Sequence, residues 1–88
     1  MQTYAQMATV FLEQNNPQEL QRLKTEGKLT EFLKDVEEVY GDQETEIIQE
    51  MSSSLPNETI ARMQSLEQAK RVAREQTTLD LTEFLSNL

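Results

Sequence analysis

Among the side chains that could bind a ligand or take part in catalysis, the acidic ones are clustered most densely in this sequence. Eight of them lie in a segment from residue 35 to residue 61 that contains no lysine or arginine: Asp35, Glu37, Glu38, Asp42, Glu44, Glu46, Glu50 and Glu58. The rest of the chain carries equal numbers of acidic and basic residues, so this acidic segment accounts for the whole net charge of −8. Such carboxylates are the groups that bind cations, transfer protons or meet basic surfaces.

A calcium site is one candidate, because Asp35 and Glu46 have the spacing of the two ends of an EF-hand loop. That loop requires an oxygen ligand at its fifth position and glycine at its sixth, whereas this sequence has Val39 and Tyr40 there. The chain also lacks histidine and cysteine, the usual ligands of zinc, copper and di-iron sites. The sequence therefore predicts no metal site and no cofactor.

Catalytic chemistry is not indicated either. Histidine, the common general base near neutral pH, is absent. The serines at Ser52–Ser54 lack the G-x-S-x-G context of a nucleophile, and two glycines are too few for a phosphate-binding loop. The carboxylates fall on polar helix faces or in caps, where water keeps them ionised and unsuited to general acid catalysis. We predict that the protein is not an enzyme.

The length and composition of the chain indicate what kind of domain carries these side chains. Eighty-eight residues predict a single domain over 1–88, near the small end of what folds alone. Apolar residues make up 36% of the chain, which indicates a thin core. No apolar run is long enough to span a membrane, and the N-terminus lacks the positive flank of a signal peptide. We expect a soluble, cytoplasmic protein with no membrane partner.

The first half of the chain shows helical spacing. Apolar residues recur on one helix face in the first segment: Tyr4, Met7, Ala8 and Phe11. Asn15 or Asn16 is expected to cap a short second helix with Pro17 in its first turn, and Gly27 to end it. A third helix has a stripe about 120° wide formed by Leu29, Phe32, Leu33, Val36, Val39 and Tyr40.

The second half is expected to contain further breaks. Gly41 is predicted to break or end the third helix, and Asp42 to cap a fourth that carries Ile47, Ile48 and Met51. After a loop, Ser54 or Asn57 is expected to cap the longest helix, from Glu58 to Gln76, and Thr78 or Asp80 a last short one. The fold class is therefore all-α, a small bundle of about five to six helices, some of them short.

The acidic segment has two kinds of explanation. The simple one is a solvated surface that keeps a small helical protein soluble. The functional one is a partner-binding acidic face, formed by Asp35, Glu37, Glu38, Asp42, Glu44 and Glu46. Charges on such a face steer association with a basic partner.

A basic helix face lies further along the chain, at Lys70, Arg71 and Arg74. Direct binding of nucleic acid is not expected there, because no aromatic side chain is nearby for base stacking and the body of the protein is acidic. We expect these cations to align the long helix against the acidic helices of the same chain or of a second copy. Exposed ion pairs contribute only about 0–1 kcal/mol each, so they select orientation more than they stabilise.

Self-association is a further expectation. The thin core and the apolar C-terminal segment predict a homodimer, with contacts from Leu81, Phe84, Leu85 and Leu88.

Together these observations predict a small acidic helical interaction or regulatory module that docks onto a basic surface of a larger protein. The alternative is an inhibitor that mimics nucleic acid and blocks a DNA- or RNA-binding machine, as small proteins of phages and mobile elements do. An acidic chain of this size is compatible with both.

Overall fold

The computed structural model describes residues 2–53 and 58–88, and all regular secondary structure in these residues is α-helical. The helices are α1 (Tyr4–Asn15), α2 (Pro17–Thr25), α3 (Leu29–Ser52) and α4 (Thr59–Ser86). The all-α fold class is confirmed. The number of helices is corrected from five or six to four over the described ranges.

The first two helices begin and end where local chemistry indicates. Thr3 caps α1 through a reciprocal pair of hydrogen bonds with Gln6, which satisfies two backbone N–H groups. Asn16 caps α2 by accepting from the backbone N–H of Glu19, with Pro17 in the first turn. Gly27 follows α2 with φ of 70°, a left-handed conformation that glycine adopts without strain. The predictions for Asn16, Pro17 and Gly27 are confirmed.

Gly41 does not break α3, and Asp42 lies inside that helix instead of capping another. Glycine in a helix interior costs only about 1 kcal/mol relative to alanine. At 100° per residue, Tyr40 and Ile47 lie on the same side of α3, and both are partly buried. Packing of one continuous apolar side therefore outweighs the local preference of Gly41.

The predicted break near residue 78 is also wrong, because α4 is continuous. The Thr78 hydroxyl donates to the Arg74 carbonyl within the helix (2.7 Å), and Asp80 accepts from Gln76 (3.1 Å). Both polar side chains are thus satisfied without ending the helix. The predicted caps Ser54 and Asn57 lie outside the described residues.

The helices form an elongated bundle of 53 × 21 × 20 Å. Helices α3 and α4 pack antiparallel as a long hairpin, while α1 packs against both of them and α2 against α1 and α3. The buried core joins all four helices and consists of Tyr4, Ala8, Leu12, Leu20, Leu23, Val36, Leu81 and Leu85. No helix within residues 2–53 and 58–88 combines the length and apolar character needed to cross a membrane.

Helix α1 covers only part of this hairpin. We call the covered part the packed end: α1, α2, residues 29–44 of α3 and residues 72–86 of α4. The remaining part, residues 45–52 of α3 and 59–71 of α4, is called the arm. All eight residues of this core cluster lie in the packed end. Among the residues that the structure describes, the arm consists only of parts of α3 and α4.

Candidate functional site

The six predicted partner-binding carboxylates lie on two different sides of helix α3. Four of them fall within an arc about 80° wide at 100° per residue, and we call these the outer stripe: Asp35, Glu38, Asp42 and Glu46. The other two, Glu37 and Glu44, point roughly the opposite way and are called the inner pair. The sequence predicted one acidic face, and the helix geometry divides it in two.

Glu37 of the inner pair contacts the beginning of α1. Its Oε2 accepts a hydrogen bond of 2.8 Å from the backbone N–H of Ala5. The first N–H groups of a helix lack partners within the helix, and the positive end of the helix dipole favours a carboxylate there. Helix α1 has no acidic residue of its own in its first turn, so Glu37 supplies this charge from α3.

Glu44, the second member of the inner pair, joins three helices. Its Oε2 accepts a hydrogen bond of 2.6 Å from the Tyr4 hydroxyl and lies 3.5 Å from Nη1 of Arg74. The Arg74 guanidinium carbon lies 4.4 Å from the centre of the Tyr4 ring, which is cation–π geometry. Arg74 also donates to the backbone carbonyl of Gln2. We call Tyr4, Glu44 and Arg74 the anchor cluster.

The anchor cluster changes the chemistry of its phenol. Burial, the hydrogen bond to Glu44 and the charge of Glu44 together raise the pKa of Tyr4 from 10.0 to about 12, against smaller opposing effects of Arg74 and Thr77. Each of the first three disfavours the phenolate. Tyr4 is therefore neutral at physiological pH and acts as a hydrogen-bond donor, which fits a structural role.

The basic helix face lines a groove of about 770 Å³ between α3 and α4. Its lining combines three cations, three carboxylates and one apolar side chain: Glu44, Ile48, Glu67, Lys70, Arg71, Arg74 and Glu75. Lys70 lies 3.7 Å from Glu67 on its own helix. Among the residues that the structure describes, Arg74–Glu44 is the ion pair that joins α3 to α4. Alignment of the two helices by charge thus depends on Arg74, and Arg71 is exposed at the groove.

The outer stripe faces solvent and has an apolar neighbour. Asp35, Glu38, Asp42 and Glu46 are all exposed. Val39 lies within the same stretch of helix and is 58% exposed. Beside it is a cleft of about 320 Å³, lined by Phe32, Asp35, Val36, Val39, Tyr40 and Phe84. The sequence indicated only a helical stripe for Phe32 and Tyr40 and a self-association contact for Phe84. It did not indicate the cleft, because residues 32 and 84 are brought together only by the hairpin.

Three aromatic rings build the wall of this cleft. The Phe84 ring is centred 6.5 Å from Phe32 in a stacked arrangement and 6.2 Å from Tyr40 in a tilted one. These separations are those of favourable aromatic pairs. Phe84 thus takes part in both ring pairs while it remains 41% exposed.

The four residues predicted for self-association occupy two environments. Leu81 and Leu85 are each 2% exposed and belong to the core of the single chain, whereas Phe84 and Leu88 are 41% and 42% exposed. A contact between copies through this segment would consist of Phe84 and Leu88. The homodimer itself stays a prediction.

The span from Asp35 to Glu46, which has the spacing of an EF-hand loop, is helical throughout. Within the described part of the chain, no three acidic side chains are grouped so that they could share a metal ion. Comparison with known proteins gives no match to a family model, a curated protein or a solved structure.

Proposed function

We propose that the protein is a small helical interaction module whose outer stripe on α3 docks onto a basic surface of a larger protein. One observation carries this proposal. Among the described residues, none of the four outer-stripe carboxylates has a hydrogen bond or an ion pair. On the same helix, Glu37 accepts a hydrogen bond, and Glu44 has both a hydrogen bond and an ion pair. These charges extend over twelve residues of α3, from Asp35 to Glu46, which corresponds to a rise of about 17 Å.

The apolar cleft supports docking over simple solvation. A row of charges steers association and selects partners, but affinity depends on a few buried apolar contacts. Val39 and the cleft between Phe32 and Phe84 lie directly beside the charges and can receive an apolar side chain of the partner. A purely solvated helix face does not require such a cleft. The expected partner surface is therefore basic and carries at least one projecting apolar residue.

Site-specific photocrosslinking in the source cell tests this proposal. A photoreactive phenylalanine derivative at Val39 is compared with the same group at Leu79, which is similarly exposed (61%) on α4. We expect a crosslinked protein with a basic surface at position 39 and not at position 79. Equal crosslinking at both positions would contradict docking through α3.

Variants that remove charge test the contribution of the outer stripe to binding. The variant D35N/E38Q/D42N/E46Q should associate at least about tenfold more slowly at low salt, and the difference should shrink as salt screens the charges. The matched control, E13Q/E26Q/E58Q/E83Q, removes the same charge from exposed positions elsewhere and should bind normally. Equal loss in both variants would assign the effect to net charge and not to the outer stripe.

Mimicry of nucleic acid is the second candidate, favoured by the regular spacing of the stripe. Its carboxylates recur every three to four residues, about 4.5–6 Å along the helix axis, without an intervening cation on that arc. A mimic must compete with DNA or RNA for the captured partner. A partner that binds the protein and nucleic acid simultaneously would exclude this alternative.

A further inference from the structure

The surface that α1 occupies on the hairpin continues beyond the beginning of α1. In the packed end, Met7 and Phe11 of α1 lie along a cleft with Thr78, Leu81 and Leu85 of α4. At 100° per residue, the same side of α4 carries a set of arm residues that α1 does not reach: Ile60, Met63, Glu67, Lys70 and Arg71. The groove of about 770 Å³ lies on this uncovered continuation.

Large apolar side chains flank this uncovered surface. Ile60 is 67% exposed and Met63 is 63% exposed, and Ile48 lines the groove from α3. In the packed end, comparable residues of α4 are covered, as Leu81 and Leu85 show at 2% each. The arm thus has an apolar side of the kind that a further helix covers.

We propose that the arm groove is covered by the arm of a second copy, so that two α3–α4 hairpins form an antiparallel four-helix bundle about a twofold axis. Two-helix hairpins that pair in this way bury the faces that each leaves open. The contact lies on the inner side of α3, away from the outer stripe. The inference therefore goes beyond the proposed function and does not depend on it.

Charge complementarity identifies the occupant as a second copy. A twofold contact places one surface against an identical one, so that surface must complement itself. The groove lining carries three carboxylates and three cations, so it is neutral, although the chain as a whole carries −8. Two outer stripes would repel each other, whereas two grooves can pair acid with base. Nucleic acid is a poor occupant, because the groove offers no net positive charge and the chain as a whole is acidic.

The dimer would present two outer stripes on one particle. A partner with two basic sites would then bind both stripes, and the second contact would form at high effective concentration. The second copy thus offers avidity in addition to coverage of the arm.

Analytical ultracentrifugation with charge-reversed variants tests the inference. K70E/R71E makes the groove acidic, and E67K/E75K makes it basic. All four positions are exposed, so circular dichroism should show unchanged helix content. We expect the wild type to dimerise, each variant alone to dissociate with a dissociation constant raised about tenfold or more, and an equimolar mixture of the two variants to form a heterodimer.

Two further variants distinguish this contact from the C-terminal one. I60E/M63E should dissociate the dimer, whereas F84S/L88S should leave it intact. A wild type that is monomeric at every concentration would overturn the inference. So would a dimer that dissociates in F84S/L88S and is unaffected by the arm variants, or one whose two charge-reversed forms fail to pair when mixed.

Discussion

The packed end and the arm share helices α3 and α4, yet they bury very different amounts of apolar side chain. In the packed end, α1 and α2 cover the hairpin, and Leu81 and Leu85 are almost fully buried. In the arm, Ala69 is buried at the contact between α3 and α4, while Ile60 and Met63 are mostly exposed. The difference is the presence or absence of a third helix.

This comparison shows how the length of one short helix determines where the core ends. A two-helix hairpin buries only the narrow strip where its helices meet, and small side chains fill that strip. A third helix is needed to cover the wider apolar side of each helix. Because α1 begins at Tyr4, opposite Glu44 and Arg74, the anchor cluster marks the boundary between the two regions.

Truncating one apolar side chain in each region gives the largest expected contrast. Leu12→Ala removes a fully buried leucine (0% exposed) and should lower the free energy of unfolding by about 2–5 kcal/mol. Ile60→Ala should change it by about 0.5 kcal/mol or less in the monomer, because the side chain is already in water. Urea unfolding at low protein concentration measures both values. Similar losses would mean that the arm has a core of its own.

The stability of the protein at alkaline pH tests the anchor cluster, which lies at the boundary between the two regions. The pKa of Tyr4 is about 12 in the folded protein against 10.0 as its ordinary value, so the folded state holds the phenolic proton more tightly. This stabilisation is complete below pH 10 and should disappear as pH rises through 12, a loss of about 2–3 kcal/mol.

Tyr4→Phe is the control for the alkaline experiment. The variant lacks the titrating phenol, so its unfolding free energy should decline less steeply above pH 10 than that of the wild type. Burial and Asp80 also raise the pKa of Tyr40, which leaves a smaller residual slope in the variant. An unfolding free energy that declines equally steeply with pH in the wild type and in Tyr4→Phe would contradict the role given to Tyr4 in the anchor cluster.

The two sets of carboxylates give a smaller contrast. E37Q/E44Q weakens the hydrogen bonds that hold α1 and should destabilise the protein by about 1–2 kcal/mol. E38Q/E46Q removes the same charge from the outer stripe and should leave stability within about 0.5 kcal/mol of the wild type or slightly higher. Thermal unfolding at low salt compares them. A larger loss of stability in E38Q/E46Q than in E37Q/E44Q would contradict the distinction between the inner pair and the outer stripe.

The two glycines give the smallest expected effects, of opposite sign. Gly27→Ala forces a left-handed turn on a residue with a side chain and should destabilise the packed end by about 1 kcal/mol. Gly41→Ala fills open space in a regular helix, with no atom within 4 Å of the added carbon, and should stabilise by about 0.5–1 kcal/mol. Melting temperatures should shift in opposite directions.

Local signals in the sequence predicted the first two helices well. Asn16, Pro17 and Gly27 act within a few residues, so their effects can be recognised without knowledge of the tertiary structure. Gly41 and Asp80 were misread for the opposite reason. Their local preference for a break is outweighed by packing along α3 and α4, which depends on residues distant in the sequence.

The candidate site was predictable only in outline. The sequence identified the acidic carboxylates of α3 but assigned them to one face, because the predicted break at Gly41 placed them on two helices instead of one continuous helix. The cleft at Val39 depends on Phe84, far away in the chain, and the arm groove depends on where α1 starts. The cleft and the groove follow from the arrangement of helices, whereas the division of the carboxylates follows from the periodicity of α3 once that helix continues through Gly41.

Hydrogen exchange along α3 and α4, measured at low and high protein concentration, tests the comparison of the two regions most directly. At low concentration, amides of the packed end should exchange only through global unfolding, whereas amides of residues 45–52 and 59–71 should exchange much faster through local opening. Raising the concentration should protect the arm and leave the packed end unchanged, because only the arm gains a cover. Uniform protection of both helices at every concentration would contradict the division of the molecule into a packed end and an open arm.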